Sequence, residues 1–308
     1  MTATHAHQVA ELGTLAEILP GIHLLTQPDW GWGLNNSGVI VGDDSVLVVD
    51  TCFTERRTRR LLAEIERVTD KPVQYVVNTH HHGDHTFGNY VFSNAVVVGH
   101  EACRRKVLSE GLAVLPYFST VEWGEIRITP PSLCFDDRLT INLGDLEVQL
   151  ISVAPAHTVG DVVVWLPDQK VLFAGDIVMN GCTPVITDGS LAGTRKALEL
   201  VRALAPSVVV AGHGAPTDAS IFDEVSAYFD LVEQAATAGY AKGLTPLEVA
   251  RTVDLGKYAE WTDSERIVAN IARTYSELRG EPLGTPLQRK EIAPMMTEFA
   301  GHPLRCHA

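Results

Sequence analysis

The sequence predicts an α/β fold: two β-sheets packed face to face with helices outside, then a helical C-terminal extension. Two observations predict it. Strand patterns come in two batches, each closed by a helix and one further strand. After about Pro216 the apolar residues switch to helical spacing. A third observation concerns chemistry: histidine and aspartate follow the ends of several β-branched runs.

In chain order, Gly38–Val41 and Val46–Asp50 are short β-branched runs, and Gly42-Asp43-Asp44 between them reads as a hairpin turn. Thr54 caps a helix running to about Val68, with Leu61, Leu62, Ile65 and Val68 on one face. Val73–Asn78 is a strand, His85–Phe92 a short helix and Ala95–Gly99 another strand. The second batch holds Glu125–Ile128, Leu139–Leu143, Leu146–Val153, Val162–Leu166 and Val171–Ala174. A helix over Thr194–Leu204 then leads to the strand Ser207–Ala211. Phe222, Val225, Phe229 and Val232 recur at helical spacing, as do Ile267, Ile271, Tyr275 and Leu278 ahead of Gly280. Residues 281–308 are rich in proline and polar residues and weakly periodic. This divides the chain into a flexible N-terminus over 1–13, a catalytic domain over 14–240, and a helical extension and tail over 241–308.

The bulk composition removes several function classes. Of the 308 residues, 45% are hydrophobic and 20% charged, a balance that supports a sizeable core. A net charge of −14 argues against a nucleic-acid partner. No apolar run reaches the length of a membrane span, and Met1–Leu12 lacks the apolar stretch of a signal peptide. The five cysteines (Cys52, Cys103, Cys134, Cys182, Cys306) form no C-x-x-C pair. That count fits no disulfide framework and points to a reducing, cytoplasmic setting.

The run Thr79–His85 carries the most information. It reads His80-x-His82-x-Asp84-His85, four metal-ligand types in six residues at the end of a strand. Imidazole and carboxylate suit zinc first, with manganese and iron also accepted. Downstream, His157, Asp176 and His213 each follow an apolar strand and sit beside glycine or proline. Together they make two sets: His80, His82 and His157 for one ion, Asp84, His85 and His213 for a second, with Asp176 bridging. Two such ions about 3.5–4 Å apart acidify a shared water and polarise a carbonyl or phosphoryl oxygen. Strand alternation points His81 away from His80 and His82, so it is not counted as a ligand. His100 reads as a helix start, and His5, His7, His302 and His307 fall in tails.

The order His-x-His-x-Asp-His, His, Asp, His over residues 80–213 resembles the metallo-β-lactamase superfamily. The resemblance implies an αββα sandwich with the site along one edge. It also implies a role for Asp50 beside the site, where a carboxylate can fix a ligand imidazole's tautomer. Asp176 sets the branch: lactam-cleaving relatives generally lack a bridging carboxylate, whereas thioester hydrolases of the glyoxalase II type have one. Cys182 reads as a buried small residue or pocket wall.

From Leu19 to Leu283 the chain is similar to second-ring cyclases of bacterial aromatic polyketide pathways. The resemblance rests on Asn36-Ser37-Gly38-Val39-Ile40-Val41-Gly42, Val77-Asn78-Thr79-His80, Trp123-Gly124-Glu125-Ile126 and Ala156-His157-Thr158. It continues through Asp161–Pro167, Leu172–Asp176, Gly212-His213-Gly214 and Glu265-Arg266. It implies aldol ring closure of a poly-β-ketone held on an acyl carrier protein, followed by thioesterase release. The alternative is plain hydrolysis of thioesters or lactones, and a non-catalytic metal-binding protein is a remote third. A flat aromatic polyketide wants aromatic walls, and Trp30, Trp32, Tyr117 and Phe118 are the candidates, with residues 112–120 and 183–193 lining the pocket. An acidic carrier protein would seek the basic runs Arg56, Arg57, Arg59, Arg60 and Arg104, Arg105, Lys106. A homo-oligomer is compatible with the sequence.

Overall fold

Strand pairing follows the chain in the computed structural model, which describes residues 11–308. Strands β1 (Thr14–Leu19), β2 (Ile22–Thr26), β3 (Ser37–Val41) and β4 (Val46–Val49) form an antiparallel meander. Helix α1 (Glu55–Val68) crosses over to β5 (Val73–Val77), parallel to β4. Helix α2 (Gly83–Thr86) leads to β6 (Val96–His100), α3 (Glu101–Glu110) and the edge strand β7 (Leu133–Phe135). These seven strands lie in sequence order in one sheet.

The second sheet has the order β12-β11-β10-β9-β8. It comprises β8 (Arg138–Leu143), β9 (Leu146–Ser152), β10 (Val162–Leu166) and β11 (Val171–Met179), then helix α4 (Leu191–Ala203) and the parallel strand β12 (Val208–His213). Helices α5 (Ile221–Ala241), α6 (Pro246–Ala250), α7 (Arg266–Leu278) and α8 (Arg289–Ala300) follow. No helix among the described residues is long and apolar enough to cross a membrane.

The layers follow from which faces are apolar. Ile40, Leu47, Val49 and Val77 of the first sheet meet Val148, Leu150, Val164 and Phe173 of the second in a shared core. The outer face of the first sheet carries Val39, Val48 and Val76 against Leu61 and Ile65 of α1. The outer face of the second packs Val163, Leu172 and Val209 against α4, α5 and α7. β11 is buried along all nine residues, as a strand covered on both faces must be. The expected αββα sandwich with helices following it is what forms.

Several local expectations hold. Thr54 accepts from the Arg57 amide and caps α1, and His100 caps α3 through the Ala102 amide. The turn at Gly42 joins β3 to β4.

Others are corrected. Glu125–Ile128 forms no strand: Ile126 and Ile128 lean on the Phe53–Phe87–Phe118 cluster, which accounts for their alternation. The helix expected over His85–Phe92 is instead α2 plus a 3-10 turn at Asn89–Val91. β1 and β2 were not anticipated. The tail contains α8, with Ile292 and Met296 buried one turn apart and Gly301 closing it in the left-handed region at φ 73°. Pro294 inside that helix masks its pattern. His5 and His7 lie outside the described residues.

Candidate metal centre

Every candidate ligand stands just past or near the end of a strand, along one edge of the sandwich. β5 ends at Val77, and the turn after it presents His80 and His82. α2 then presents Asp84 and His85 from its single turn. The loop between β9 and β10 carries His157, β11 carries Asp176, and β12 ends on His213.

The side chains converge in two groups. His82 Nδ1 lies 3.1 Å from His80 Nε2 and 3.0 Å from His157 Nε2. Asp176 Oδ2 is 3.8 Å from His80 Nε2 and 3.5 Å from His157 Nε2. In the second group His213 Nε2 is 3.3 Å from Asp84 Oδ2, and His85 Nε2 is 3.7 Å from it. Asp176 reaches this group too, with Oδ1 3.2 Å from His85 Nε2 and Oδ2 3.5 Å from His213 Nε2. One carboxylate therefore faces both sets.

Do these residues suit metal ions? A tetrahedral zinc site with bonds near 2.0–2.1 Å has ligand atoms roughly 3.3 Å apart. The two nitrogen separations fall close to that. His85 Nε2 and Asp176 Oδ1 are buried and close, yet neither makes an aligned hydrogen bond. Buried polar atoms left that way are costly unless another partner serves them. Several imidazoles and two carboxylates gathered around common points meet that need with cations. These are His/Asp clusters of the kind that hold two metal ions.

Supporting groups hold the ligands in place. Asp50 follows β4 at φ 59°, a left-handed conformation uncommon for an aspartate. Its carboxylate accepts from the Thr79 amide at 2.7 Å, the Thr79 hydroxyl at 2.7 Å and His85 Nδ1 at 2.8 Å. It thus ties β4 to the histidine turn and leaves His85 Nε2 aimed inward. Asp161 does similar work for the His157 loop, accepting from the Ala156 and Thr158 amides and the Thr158 hydroxyl. Gly212 leaves room for the shared carboxylate, since a Cβ there would overlap Asp176 Oδ1.

Electrostatics among the side chains alone differ between the two groups. Burial, reinforced by neighbouring imidazoles, holds His80 well below the ordinary imidazole value, and burial pushes His157 down to about 3. Burial also works against charge on His213, but Asp176 and Asp84 outweigh it and raise that ring to about 9. His85 is raised in the same way, by Asp176, Asp50 and Asp84 against burial. Asp84, despite burial, is brought down to about 2 by His85 and His213.

His81 stays out of both groups, as its alternation suggests. Its Nε2 faces Glu110 Oε1 at 3.4 Å. Asp188, which sequence reasoning passed over, is buried and lies 3.5 Å from His82 Nε2. It also neighbours Arg289 Nη2 at 3.7 Å and accepts from the Thr187 hydroxyl at 2.8 Å. His81, His82 and Asp188 form a third close group. Cys182 is buried and belongs to neither ligand group, and burial pushes its thiol up to about 12.

A cavity of about 140 Å³ opens over Asp84, Asp176 and His213. Trp32, Tyr117 and Phe118 line it, as do Val114, Val185 and Thr187 from the two segments expected to do so. Trp30 stands outside that lining: Asp29 and Trp30 both take positive φ, and the turn carries the indole beside Gly181. Helix α8 supplies a wall that was not anticipated from its residues, through Arg289, Ile292, Ala293 and Met296.

The basic runs are largely consumed within the molecule. Arg57 is buried and donates to Gln27, Arg59 pairs with Glu55 and Arg60 with Glu64. Arg105 pairs with Glu101, Lys106 with Glu110, and Arg104 donates to the Pro131 carbonyl.

The sequence model of the metallo-beta-lactamase superfamily matches residues 30–213, which span every candidate ligand. The chain belongs to the metallo-beta-lactamase superfamily. Among members with curated sequences it is 23% identical over 265 residues to a linear primary-alkylsulfatase of Pseudomonas sp. (strain ATCC 19151), covering 70% of this chain and 49% of that one. It is 28% identical over 172 residues to the acyl-coenzyme A thioesterase MBLAC2 of Homo sapiens, covering 47% and 59%. The chain thus spans about half the length of the first relative and under two thirds of the second. Among solved structures, a metallo-beta-lactamase from Pontibacter korlensis superposes with a TM-score of 0.59 at 22% identity, covering 70% of this chain and 97% of that one. That likeness concerns the fold. α8 lies beyond the residues matched by the superfamily model.

Proposed function

We propose that this superfamily member is a dinuclear-metal hydrolase of thioesters or related acyl esters, lactones included. The observation that carries the reading is the Asp176 carboxylate, with Oδ1 3.2 Å from His85 Nε2 and Oδ2 3.5 Å from His157 Nε2. A carboxylate shared between two ligand sets is the feature by which the chain resembles thioester-cleaving members. Similarity to a thioesterase, over 47% of this chain, supports the same side.

In this reading His80, His82 and His157 would hold one ion and Asp84, His85 and His213 the other, with the Asp176 carboxylate facing both sets. When bound, two divalent cations, zinc first among the candidates, supply Lewis acidity and bring the pKa of water towards ~7. The protein does the rest. Asp50 keeps His85 in the tautomer whose Nε2 is free, and Asp188 does the same for His82 Nδ1. Asp84 and His82 are the more exposed of the seven, so the cavity meets the centre at their face. The apolar walls exclude water from around the acyl group and strengthen every charge interaction at the floor. A thiolate leaves without needing a proton, since its ordinary pKa is near 8.5, so the site requires no separate general acid for it.

Ring closure of a carrier-bound poly-β-ketone before release is a second reading, favoured by the aromatic lining of the cavity. The docking of an acyl carrier protein on the basic runs has less support, because most of those arginines already have partners.

Thiol release from coenzyme A and N-acetylcysteamine thioesters, measured with and without zinc after chelation, tests the main reading. Zinc-dependent turnover is expected. Faster opening of a chromogenic cephalosporin than of any thioester would overturn it. Incubation with a carrier-bound polyketide tests the second reading, because release of uncyclised acid alone would exclude it.

A further inference from the structure

We infer that the cavity over the centre takes an uncharged acyl group about the size of one aromatic ring, making the substrate an arylacyl thioester of the benzoyl or phenylacetyl class. This rests on the thioester reading above and narrows it.

Size comes first. The cavity holds about 140 Å³, close to the roughly 150 Å³ engineered protein cavity that takes up benzene. An acetyl group leaves most of that space empty and forgoes its contacts. A fused three-ring system does not fit within it and would have to protrude through the opening.

The walls come next. Phe53, Phe87 and Phe118 meet at the cavity in a preformed cluster: Phe53 stacks on Phe87 at 5.6 Å and meets Phe118 edge-on at 6.0 Å. Trp32 adds a tilted contact to Phe118 at 5.9 Å. Rings already packed this way present a preformed aromatic wall against which another ring can lie. Ile292 and Met296 of α8 add aliphatic carbon to the lining.

Charge excludes the remaining classes. Two arginines line the cavity, and both are committed. Arg289 pairs with Glu110 at 2.6 Å, and Arg266 pairs with Asp263 at 2.7 Å while its guanidinium lies over Trp32 at 4.1 Å. Away from the metal centre itself, a carboxylate or sulfate on the bound group would meet carbon, Glu110 and already neutralised cations. Burying it unpaired is strongly unfavourable.

The test uses the zinc-loaded chain with N-acetylcysteamine thioesters of acetate, phenylacetate, succinate and anthrylacetate. For phenylacetyl, kcat/KM is expected to exceed each of the others by about tenfold or more. Acetyl, succinyl or anthrylacetyl turning over as well as phenylacetyl would overturn the inference. Phenylacetamide, neutral and not a thioester, serves as a separate binding probe by calorimetry. Met296→Trp fills the cavity and is expected to weaken that binding at least about tenfold, with Ala293→Trp as a second variant should the first fail to fold. If phenylacetamide binds and the variants abolish it while no thioester is cleaved, the pocket assignment stands and the hydrolase reading falls. If thioesters are cleaved without preference for size or charge, the hydrolase reading stands and the pocket assignment falls.

Discussion

Asp50 accepts a hydrogen bond from His85 Nδ1 at 2.8 Å, and the same carboxylate accepts from the Thr79 amide at 2.7 Å. One residue held at positive φ thus sets both the tautomer of a ligand and the path of the turn that presents two more. Asp50→Asn tests this cleanly, because asparagine tolerates the left-handed backbone. Its amide can donate to Nδ1 and so move the ring proton to Nε2, which cannot then ligate. Metal affinity at the second group is expected to fall about 10–100-fold, as read by competition with a chromophoric chelator.

Gly212→Ala places a methyl group where Asp176 Oδ1 stands and close to the Gly175 and Asp176 backbone. A buried backbone has little room to yield, so a stability loss of about 1–3 kcal/mol is expected. Displacing the carboxylate should also lower bound metal below two equivalents. Denaturant melts and elemental analysis measure the two effects, and unchanged metal content would show that Asp176 can relocate.

Metal binding should release protons unequally. His157 sits near 3 and His80 well below its ordinary value, so neither of these two rings has a proton to lose near neutral pH. His213, at about 9, carries one in the metal-free protein until the pH rises past that value. Binding at the second group must displace that proton and the one on His85, which is also raised, so its affinity should strengthen as pH rises towards 9, more steeply than at the first group. Calorimetry in buffers of different ionisation enthalpy separates the two steps.

Asp188 lies 3.5 Å from His82 Nε2 and 3.7 Å from Arg289 on α8. Asp188→Ala should leave His82 free to rotate and weaken the first group by about 10–100-fold in metal affinity. Cobalt substitution gives a readout of geometry: a changed visible spectrum at full occupancy is expected, and an unchanged one would make Asp188 merely structural.

The ligands come from both sheets, so chelation should loosen the edge where the sheets meet. Loading with metal at 100-fold above its dissociation constant stabilises by about 2.7 kcal/mol, and a higher melting temperature with zinc than with chelator is expected in scanning calorimetry.

The ligand set was legible because its residues are tied to strand ends, and strand ends are marked by runs such as Val208-Val209-Val210 before His213. The sandwich was legible for the same reason, since buried parallel strands read as continuous apolar runs. Asp188 was hidden because nothing local distinguishes a loop aspartate that finds a histidine 106 residues away. β1 and β2 were hidden by weak contrast: β1 is half exposed and shows no clean alternation. α8 was hidden by Pro294, and its contact with the cavity depends on packing that only the tertiary structure supplies.

The residues that carry charge at the centre all fall between positions 50 and 213, while much of the cavity wall comes from α3, the 3-10 turn after it and α8. α3 and the 3-10 turn lie within that same span, so the share of the wall that α8 supplies is the part encoded apart from the chemistry. Substitutions in α8 can retune what is accepted without touching a single ligand.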